Sequence, residues 1–393
     1  MPPHSTPLHD LGRAHPSPAS TMMIVEGRSL ISIPSPCHPV AVAGTGGSSS
    51  GRVGVAIIGL GRAGHFHLTS IAGCPETAEL KWVVDVDLDK AQHIAAEKGC
   101  KGTNSIEDVL VDPMVDALVI ASTTNTHFEY CKMGLDSGKA VFTEKPISHK
   151  TEQLEKIIDM AVEKRLPFMV GYQRRVDRNF RELERQINAG AVGGIRMIKC
   201  CSRDNPLPPM PYLAVSGGIF YDMLTHDFDM IHFLSGEIPT EVYTVAYCYN
   251  DEIRAMDDVD TVMVTLKFAS GLIATVDCSR TAPYGYDQRV EVFGEKGMAT
   301  AENEKTSTVI VASSEGFVHP KTCHSFPQRY KECYTQEFAE FVAMVKAWEC
   351  EPENTIRRHV ELERVTAAAE LSHRTGRAIQ LCEVDKLRHL MPH

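Results

Sequence analysis

Three side chains in this sequence have the chemistry to oxidise an alcohol, provided that the fold brings them into one cleft. Asp222 and His226 are four residues apart, so they share one face if that stretch is helical. A carboxylate one turn from an imidazole orients the ring and raises its pKa, which suits a general base. Lys145, which follows Glu144 and precedes a proline, could stabilise the developing alkoxide. Without further context, the same residues also fit a solubilising helix with a structural histidine and a solvated surface lysine.

A glycine-rich turn could hold the hydride acceptor that such an oxidation requires. The apolar run Val53–Ile58 is typical of a buried strand, and a G-x-G-x-x-G spacing follows it. In the dinucleotide fingerprint, the first glycine makes a tight turn and the second lets backbone approach a pyrophosphate. The third lets helix and strand pack closely. A helix predicted from about Arg62 would direct its unpaired N–H groups at that phosphate. The predicted phosphate-binding turn consists of Gly59, Gly61, Arg62, Ala63 and Gly64.

An acidic residue indicates which dinucleotide would bind. Asp85 ends the second predicted strand, 21 residues after Gly64. An acidic group at that place accepts hydrogen bonds from the adenosine ribose and repels a 2′-phosphate, which favours NAD over NADP. The alternative is a surface aspartate that opens the next turn.

Polar residues also follow two later predicted strands. Thr123, Thr124 and Asn125 come at the carboxyl edge, where ligands bind in such sheets, and we expect them to line the nicotinamide side. Capping of the next helix is the competing interpretation, and both could hold. Glu144 and Lys145 follow the next strand and complete the predicted cofactor contacts.

The order of the predicted elements determines where these groups lie. From Val53 to Gly171, strands alternate with helices through short links, which is typical of a parallel sheet covered on both faces. We therefore predict an α/β protein with a doubly wound Rossmann domain over residues 53–171. Runs of neighbouring strands then predict an α+β domain over residues 172–385, with an open, mostly antiparallel sheet. Gly271 lies between two of these runs as a hairpin glycine, and residues 332–377 are helical by pattern.

Residues 1–52 differ from the rest of the sequence. Repeated prolines, and then a run of Gly, Ser and Thr, prevent regular structure, so we predict a disordered extension. Its arginines and serines are a weak indication of an organelle transit peptide, because prolines interrupt the amphipathic helix that such a peptide needs. An untargeted tail is favoured.

The composition restricts the possible partners and the compartment. The formal net charge of −11 disfavours a nucleic-acid binder, which needs a basic face. No apolar run reaches the ~18 residues that would cross a bilayer. The 12 cysteines are scattered without C-x-x-C or other metal-ligand spacing. We therefore predict free thiols, no metal site and a cytoplasmic location.

Three features in this order resemble the glucose–fructose oxidoreductase / inositol dehydrogenase / rhizopine catabolism family. They are the glycine turn, the Glu144-Lys145-Pro triplet, and a Gly-Gly segment that continues through Asp222 to His226. The resemblance extends from residue 53 to about residue 384, and within the family it is strongest to the NAD-dependent myo-inositol 2-dehydrogenases. Supporting stretches are residues 170–175, 203–206, 284–287 and 292–298.

The resemblance implies a reaction and roles for particular residues. His226 would be the general base, Asp222 its partner and Lys145 the donor to the alkoxide. The reaction would be NAD-dependent oxidation of a ring hydroxyl of a cyclic polyol, most of all myo-inositol to 2-keto-myo-inositol. The second domain would bind the substrate and would form homo-oligomers, commonly tetramers, through the open face of its sheet. The implied polyol contacts are Lys145, Arg175, Asn205, Asp222, His226, Asp227 and Tyr286.

Two departures from the family pattern leave alternatives open. Relatives have His-Arg-Asn-Pro and His-Glu where this chain has Arg-Asp-Asn-Pro at residues 203–206 and Asp227 after His226. The shorter Asp227 leaves the exact polyol undecided, so a sugar or trans-dihydrodiol dehydrogenase is one alternative. The other is a non-catalytic NAD-binding regulatory protein, which is disfavoured because it would need neither the base nor the cation.

Overall fold

The computed structural model describes residues 51–391 of the chain. The predicted disordered extension therefore lies outside the described residues, apart from its last two positions. Within the described part, no helix combines the length and apolar character needed to cross a membrane. The same residues contain no group of three or more His, Cys, Asp or Glu side chains that could hold a metal ion.

The first sheet consists of six parallel strands covered by helices. The strands are β1 (Val53–Ile58), β2 (Ala78–Val84), β3 (Lys101–Thr103), β4 (Ala117–Ile120), β5 (Ala140–Glu144) and β6 (Phe168–Gly171). The helices between them are α1 (Arg62–Ala72), α2 (Leu88–Lys98), α3 (Ile106–Leu110), α4 (Thr124–Asp136) and α5 (Thr151–Lys164). The strand order is β3–β2–β1–β4–β5–β6, and β1 and β4 are buried throughout, as in a sheet covered on both faces. This confirms the predicted doubly wound domain, in which the order reverses between β1 and β4 and opens a crevice at their carboxyl ends.

The second sheet is mixed and mostly antiparallel, as predicted. Its strands are β7 (Ile195–Arg203), β8 (Glu241–Tyr247), β9 (Thr261–Lys267), β10 (Ile273–Ser279), β11 (Asp287–Gly294), β12 (Met298–Ala301) and β15 (Ile379–Gln380), and a separate hairpin contains β13 (Val311–Ser313) and β14 (Gly316–Val318). The order is β12–β11–β7–β10–β9–β8–β15, and among the described strands of this second sheet only β7 and β10 pair in parallel. Gly271 makes the β9–β10 hairpin with a positive φ of 93°, a conformation that glycine adopts without strain.

The helices of this half are α6 (Arg178–Asn188), α7 (Met210–Leu213), α8 (Thr225–Ser235), α9 (Asp251–Arg254), α10 (Phe326–Arg329), α11 (Lys331–Ala347), α12 (Glu353–Ile356), α13 (Arg358–Thr375) and α14 (Val384–Leu387), with 3₁₀ turns at Gln173–Val176, Leu381–Glu383 and Arg388–Leu390 and a π turn at Phe220–Leu224. Several of these helices pack on one face of the second sheet, among them α8 against β7 and α13 against β8. In β9, Val262, Val264 and Leu266 are buried in the core while Met263 is 60% exposed. One face of the sheet is therefore packed and the other is open.

The helical tail returns to the first sheet. Phe338 and Phe341 of α11 are fully buried in the same apolar cluster as Val55 and Ile57 of β1. Residues 332–377 are mostly helical, as predicted, but the helices are separate because the chain breaks after α11. Trp348 adopts a left-handed φ of 50° there, and α13 then packs against the second sheet.

Candidate active site

A cavity of about 1090 Å³ lies where the carboxyl edge of the first sheet meets the second half of the chain. One end of it is formed by the turns that follow β1, β2 and β4, and the other by residues near β5, the π turn and the second sheet. The predicted site residues on its wall are Gly59, Gly61, Arg62, Ala63, Asp85, Thr123, Thr124, Asn125, Glu144, Lys145, Asp222, His226 and Tyr286. One continuous space therefore joins the predicted cofactor and substrate ends.

The glycine turn has the geometry of a dinucleotide site. Gly59 has φ 95°, and a Cβ there would lie 2.6 Å from the backbone of Ser122. A Cβ on Gly64 would lie 2.1 Å from the carbonyl oxygen of Gly59, so helix and strand pack as closely as predicted. No atom lies within 4 Å of a Cβ built on Gly61, which leaves open space at the cavity wall for a pyrophosphate. The residues present therefore fit NAD.

Asp85 is fixed by backbone donors at the far end of the same groove. The N–H of Leu60 donates to its Oδ2 at 2.9 Å and the N–H of Asp87 to its Oδ1 at 3.1 Å, while Lys90 Nζ lies 3.3 Å from Oδ2. Burial alone would raise the pKa of Asp85, but these donors outweigh burial and lower it. The carboxylate is therefore charged and held still, as a ribose-binding acceptor should be.

The residues that follow β4 and β5 line the cavity. Helix α4 begins at Thr124, earlier than predicted, so Thr124 and Asn125 lie in its first turn. Thr123 precedes the helix, but its side chain makes no capping hydrogen bond, which leaves it available to the cavity. Glu144 is partly buried, with Oε1 2.8 Å from Nε2 of the fully buried His67. Burial would raise the pKa of Glu144, but the interaction with His67 outweighs burial and lowers it.

Lys145 and Asp222 meet in the cavity, as predicted. Lys145 Nζ donates to the main-chain oxygen of Asp222 at 2.6 Å and lies 3.6 Å from its Oδ1. The Asp222 carboxylate also accepts from Tyr212 Oη at 2.7 Å and from Arg280 Nη1 at 2.8 Å. Burial opposes the charge on Asp222, yet Lys145 and Arg280 keep its pKa below the ordinary value.

The expected pairing of Asp222 with His226 is absent among the hydrogen bonds of the described residues. The sequence suggested an α-helix in which these residues share a face, but Phe220–Leu224 forms a π turn and α8 starts only at Thr225. In the π turn, the N–H of Thr225 bonds to the carbonyl of Phe220, five residues back instead of four. The wider turn rotates Asp222 relative to His226, so its carboxylate meets Arg280 instead.

His226 lies on the cavity wall with most of its surface buried. The residue is 8% exposed, its Nδ1 is fully buried without a partner among the described residues, and the ring packs edge-on to Tyr172. Burial, together with the charges of Lys145 and Arg174, holds the pKa of His226 well below its ordinary value. The expectation that a carboxylate raises this pKa was wrong, because the carboxylate of Asp222 is engaged elsewhere.

The implied polyol contacts separate into two groups. Tyr286 lines the cavity with Lys145, Asp222 and His226. The other three do not line the cavity, and their side chains bond to other protein groups. Arg175 forms a bidentate ion pair with Asp229. Asn205 donates to the main-chain oxygen of His324, and Asp227 forms an ion pair with Arg174.

Three wall residues were missed by the sequence reasoning. Arg174, Asp204 and Tyr212 all line the cavity. Arg174 and Asp204 immediately precede the predicted Arg175 and Asn205. The predicted stretches therefore do reach the cavity wall, but through the residue one position earlier in each case. No sequence signal marked Tyr212.

Comparison with known proteins agrees with this geometry. A model of the oxidoreductase family with an NAD-binding Rossmann fold matches residues 53–172, and a model of the GFO/IDH/MocA C-terminal domain matches residues 180–300. The chain is 37% identical over 300 residues to the myo-inositol 2-dehydrogenase of Thermotoga maritima, which covers 76% of this chain and 89% of that protein. It is also 37% identical to the inositol 2-dehydrogenase of Rhizobium meliloti, over 74% of this chain and 88% of that protein.

A solved structure of a relative extends the comparison to ligands. The scyllo-inositol dehydrogenase of Lactobacillus casei with bound NAD(H) and scyllo-inositol superposes with a TM-score of 0.78 at 26% identity. The superposition covers 84% of this chain and 99% of that chain.

Proposed function

The chain is an NAD-binding oxidoreductase of the GFO/IDH/MocA family, and on that premise we propose that it oxidises a ring hydroxyl of a cyclic polyol. The first candidate is the oxidation of myo-inositol to 2-keto-myo-inositol, since similar proteins are named for that substrate. The observation that carries the proposal is the single cavity. It joins the glycine turn and Asp85 to Lys145, Asp222 and His226.

Two residues of the chain would act directly on the hydroxyl group during oxidation. NAD, when bound, accepts a hydride from the carbon that carries the hydroxyl. His226, neutral because it is buried next to two cations, would take the hydroxyl proton. Lys145 would donate a hydrogen bond to the same oxygen as negative charge develops there, because its ammonium group is held at the cavity wall by Asp222.

Asp222 supports this chemistry in a different way from the expected one. Its carboxylate is fixed by Arg280 and Tyr212, and its main-chain oxygen accepts from Lys145. We assign to Asp222 the orientation of Lys145 and a local negative charge that offsets the cations around His226. We assign to Asp85 the role of accepting hydrogen bonds from the hydroxyls of the adenosine ribose, which gives the preference for NAD over NADP.

The experiment that tests the function is turnover of the full chain with NAD and a panel of polyols, followed by NADH absorbance. The panel contains myo-inositol, scyllo-inositol, an aldose and a trans-dihydrodiol. We expect the highest kcat/KM with myo-inositol. A preference for scyllo-inositol would overturn the stereochemical part alone, whereas turnover of only the aldose or the dihydrodiol would overturn the substrate class.

A regulatory NAD-binding protein is the second candidate, and Lys145→Met distinguishes it from an enzyme. We expect the variant to lose activity on the order of 100-fold or more, because the lysine acts on the developing oxyanion, but still to bind NAD through the glycine turn and Asp85. Lys132→Met is the matched control, since Lys132 is a surface lysine paired with Asp136. Wild-type protein that binds NAD but oxidises no polyol, sugar or dihydrodiol would support the regulatory function instead.

We also propose that the chain works as a homo-oligomer, a dimer or tetramer, through the open face of its second sheet. Tyr243, Val245, Tyr247 and Met263 on that face are each between 44% and 60% exposed. Monomers rarely expose a contiguous apolar patch of this kind. Light scattering on the purified protein should give a multiple of the 43.4 kDa chain mass, and Val245→Asp should reduce it. A wild-type monomer would contradict this proposal.

For the cell, we propose a cytoplasmic location. Every cysteine of the described residues is a free thiol, which suits a reducing compartment. Fractionation of cells that express the full chain should place it in the cytosol, and recovery in an organelle would instead assign a targeting role to the extension.

A further inference from the structure

His127 lies between the two loops that carry the cofactor and catalytic groups. It lies in the first turn of α4 and is 2% exposed. Its Nδ1 lies 2.8 Å from the carbonyl oxygen of Pro146, and its Nε2 lies 3.1 Å from the carbonyl oxygen of Ser122. Both ring nitrogens therefore face main-chain acceptors, and the residue itself contributes to the cavity wall. Burial lowers the pKa of His127, so the ring is neutral and donates its one N–H to one of the two carbonyls.

These two carbonyls belong to functionally different segments. Ser122 immediately precedes Thr123, and Pro146 immediately follows Lys145. The strands that lead into the segments, β4 and β5, are adjacent and parallel, so both segments leave the same edge of the sheet. The imidazole lies between them, and a hydrogen bond to Pro146 ties the backbone that follows Lys145 to α4.

The contacts of Lys145 show why this distance matters. Its ammonium group donates to the main-chain oxygen of Asp222 at 2.6 Å, across the junction between the two halves of the chain. Lysine has a long, flexible side chain, so its head is placed only as well as its backbone is. A loop held at Pro146 limits the positions from which Lys145 can reach the cavity.

We propose that His127 is a positioning residue for Lys145, tying the Lys145–Pro146 segment to α4 through a hydrogen bond to the carbonyl oxygen of Pro146, the nearer of its two main-chain acceptors. The proposal rests on the function proposed above, because the effect on catalysis is transmitted through Lys145. The plain alternative is that His127 is a core histidine that contributes to folding stability only.

A double-mutant cycle separates the two roles. His127→Phe keeps a ring of similar volume but removes the ring N–H, and with it the hydrogen bond to a main-chain carbonyl. We expect it to lower kcat about 30- to 100-fold, as small misplacements of catalytic groups do, and to change the affinity for NAD less than threefold. In a Lys145→Met background the same change should lower kcat less than threefold, because the group that it positions is already gone.

Two further variants control the cycle. His127→Gln can still donate to one carbonyl and should recover at least a third of the activity lost in His127→Phe. His232→Phe is the matched control. His232 is partly buried and its Nδ1 contacts the carbonyl oxygen of Glu237, but His232 is not among the residues that line the cavity. His232→Phe should leave kcat within threefold of wild type. When it is added to any of the other variants, kcat should stay within threefold of that variant alone.

Equal losses of kcat in the wild-type and Lys145→Met backgrounds would overturn the proposal, as would wild-type kcat in His127→Phe. Crystal structures of wild type and of His127→Phe or His127→Gln provide a readout without turnover. The distance from Lys145 Nζ to the Asp222 oxygen should increase by more than 1 Å in His127→Phe, and an unchanged distance would refute the positioning role. If wild-type protein oxidises no substrate, the proposed function fails, and this structural comparison still decides the role of His127.

Discussion

Replacing Asp204 by asparagine should stabilise the protein at neutral pH but not in acid. Asp204 follows β7 on the cavity wall, and its N–H donates to the carbonyl oxygen of Ser279 at 2.9 Å. Burial and then the charge of Asp222 raise the pKa of Asp204 to about 6, although Arg280 and Arg174 act in the opposite direction. The folded protein therefore prefers the neutral carboxyl group.

The sign and size of the effect follow from linkage. A carboxyl group whose folded pKa is raised from 3.8 to about 6 takes up a proton on folding between these values. Its favourable contribution is complete below pH 4 and is lost as the pH rises through about 6. At about 1.4 kcal/mol per pKa unit, the ionised carboxylate costs roughly 2–3 kcal/mol at pH 7, and asparagine removes this cost.

The assay is urea unfolding of wild type and Asp204→Asn from pH 4 to pH 8. The difference in unfolding free energy should be close to zero at pH 4, grow between pH 4 and 6, and level off at about 2–3 kcal/mol. Asp251→Asn removes a carboxylate that is 89% exposed and should follow the wild-type pH dependence. Parallel stability curves for Asp204→Asn and wild type would refute the reasoning.

Four other substitutions test three separate parts of the site. Gly64→Ala should unfold at lower temperature, because its Cβ would lie 2.1 Å from a main-chain oxygen, whereas Gly61→Ala meets no atom within 4 Å and should keep its melting temperature but lose NAD affinity. Equal melting temperatures would contradict this. Asp85→Ser should reduce the preference for NAD over NADP at least tenfold in kcat/KM, because the charge that repels a 2′-phosphate is gone; an unchanged ratio would remove Asp85 from the specificity argument. Arg280→Met should destabilise the fold by about 3 kcal/mol or more, because Arg280 is fully buried and its loss leaves the Asp222 carboxylate poorly balanced; denaturation that matches wild type would disprove this.

The cofactor end of the site could be predicted from the sequence because its chemistry is local. The roles of Gly59, Gly61 and Gly64 depend on a strand, a turn and a helix that follow one another directly, and Asp85 ends the adjacent strand. A pattern of hydrophobic residues and glycine spacing is enough to place all four. Their surroundings in the structure agree with those roles.

The partner of the Asp222 carboxylate could not be predicted for two reasons. The partner follows a strand that is distant in the sequence, and the backbone at Asp222 departs from a regular α-helix. Arg280 follows β10, 58 residues further along the chain, and no motif marks it as the counter-ion. The π turn at Phe220–Leu224 depends on packing rather than on a recognisable sequence signal. An α-helical projection therefore paired Asp222 with His226, which the structure keeps apart.

The sequence also could not show which of two adjacent arginines faces the cavity. Arg174 and Arg175 lie in one 3₁₀ turn, Gln173–Val176, whose geometry sends the first towards the cavity and the second towards Asp229. Only the direction of the backbone distinguishes them. The return of α11 to the first sheet is a similar case, because it depends on contacts with β1 and α1, which are far away in the sequence.

The most direct measurement of the central claim follows the hydride itself. The full chain is incubated with NAD and with myo-inositol that carries deuterium on the carbon of the 2-hydroxyl, and the NADH formed is analysed by mass spectrometry. Oxidation at that carbon, with Lys145 and His226 acting on its hydroxyl, predicts one deuterium in each NADH and the same label pattern, at a much lower rate, in Lys145→Met. NADH without deuterium, or no NADH from myo-inositol at all, would contradict the account.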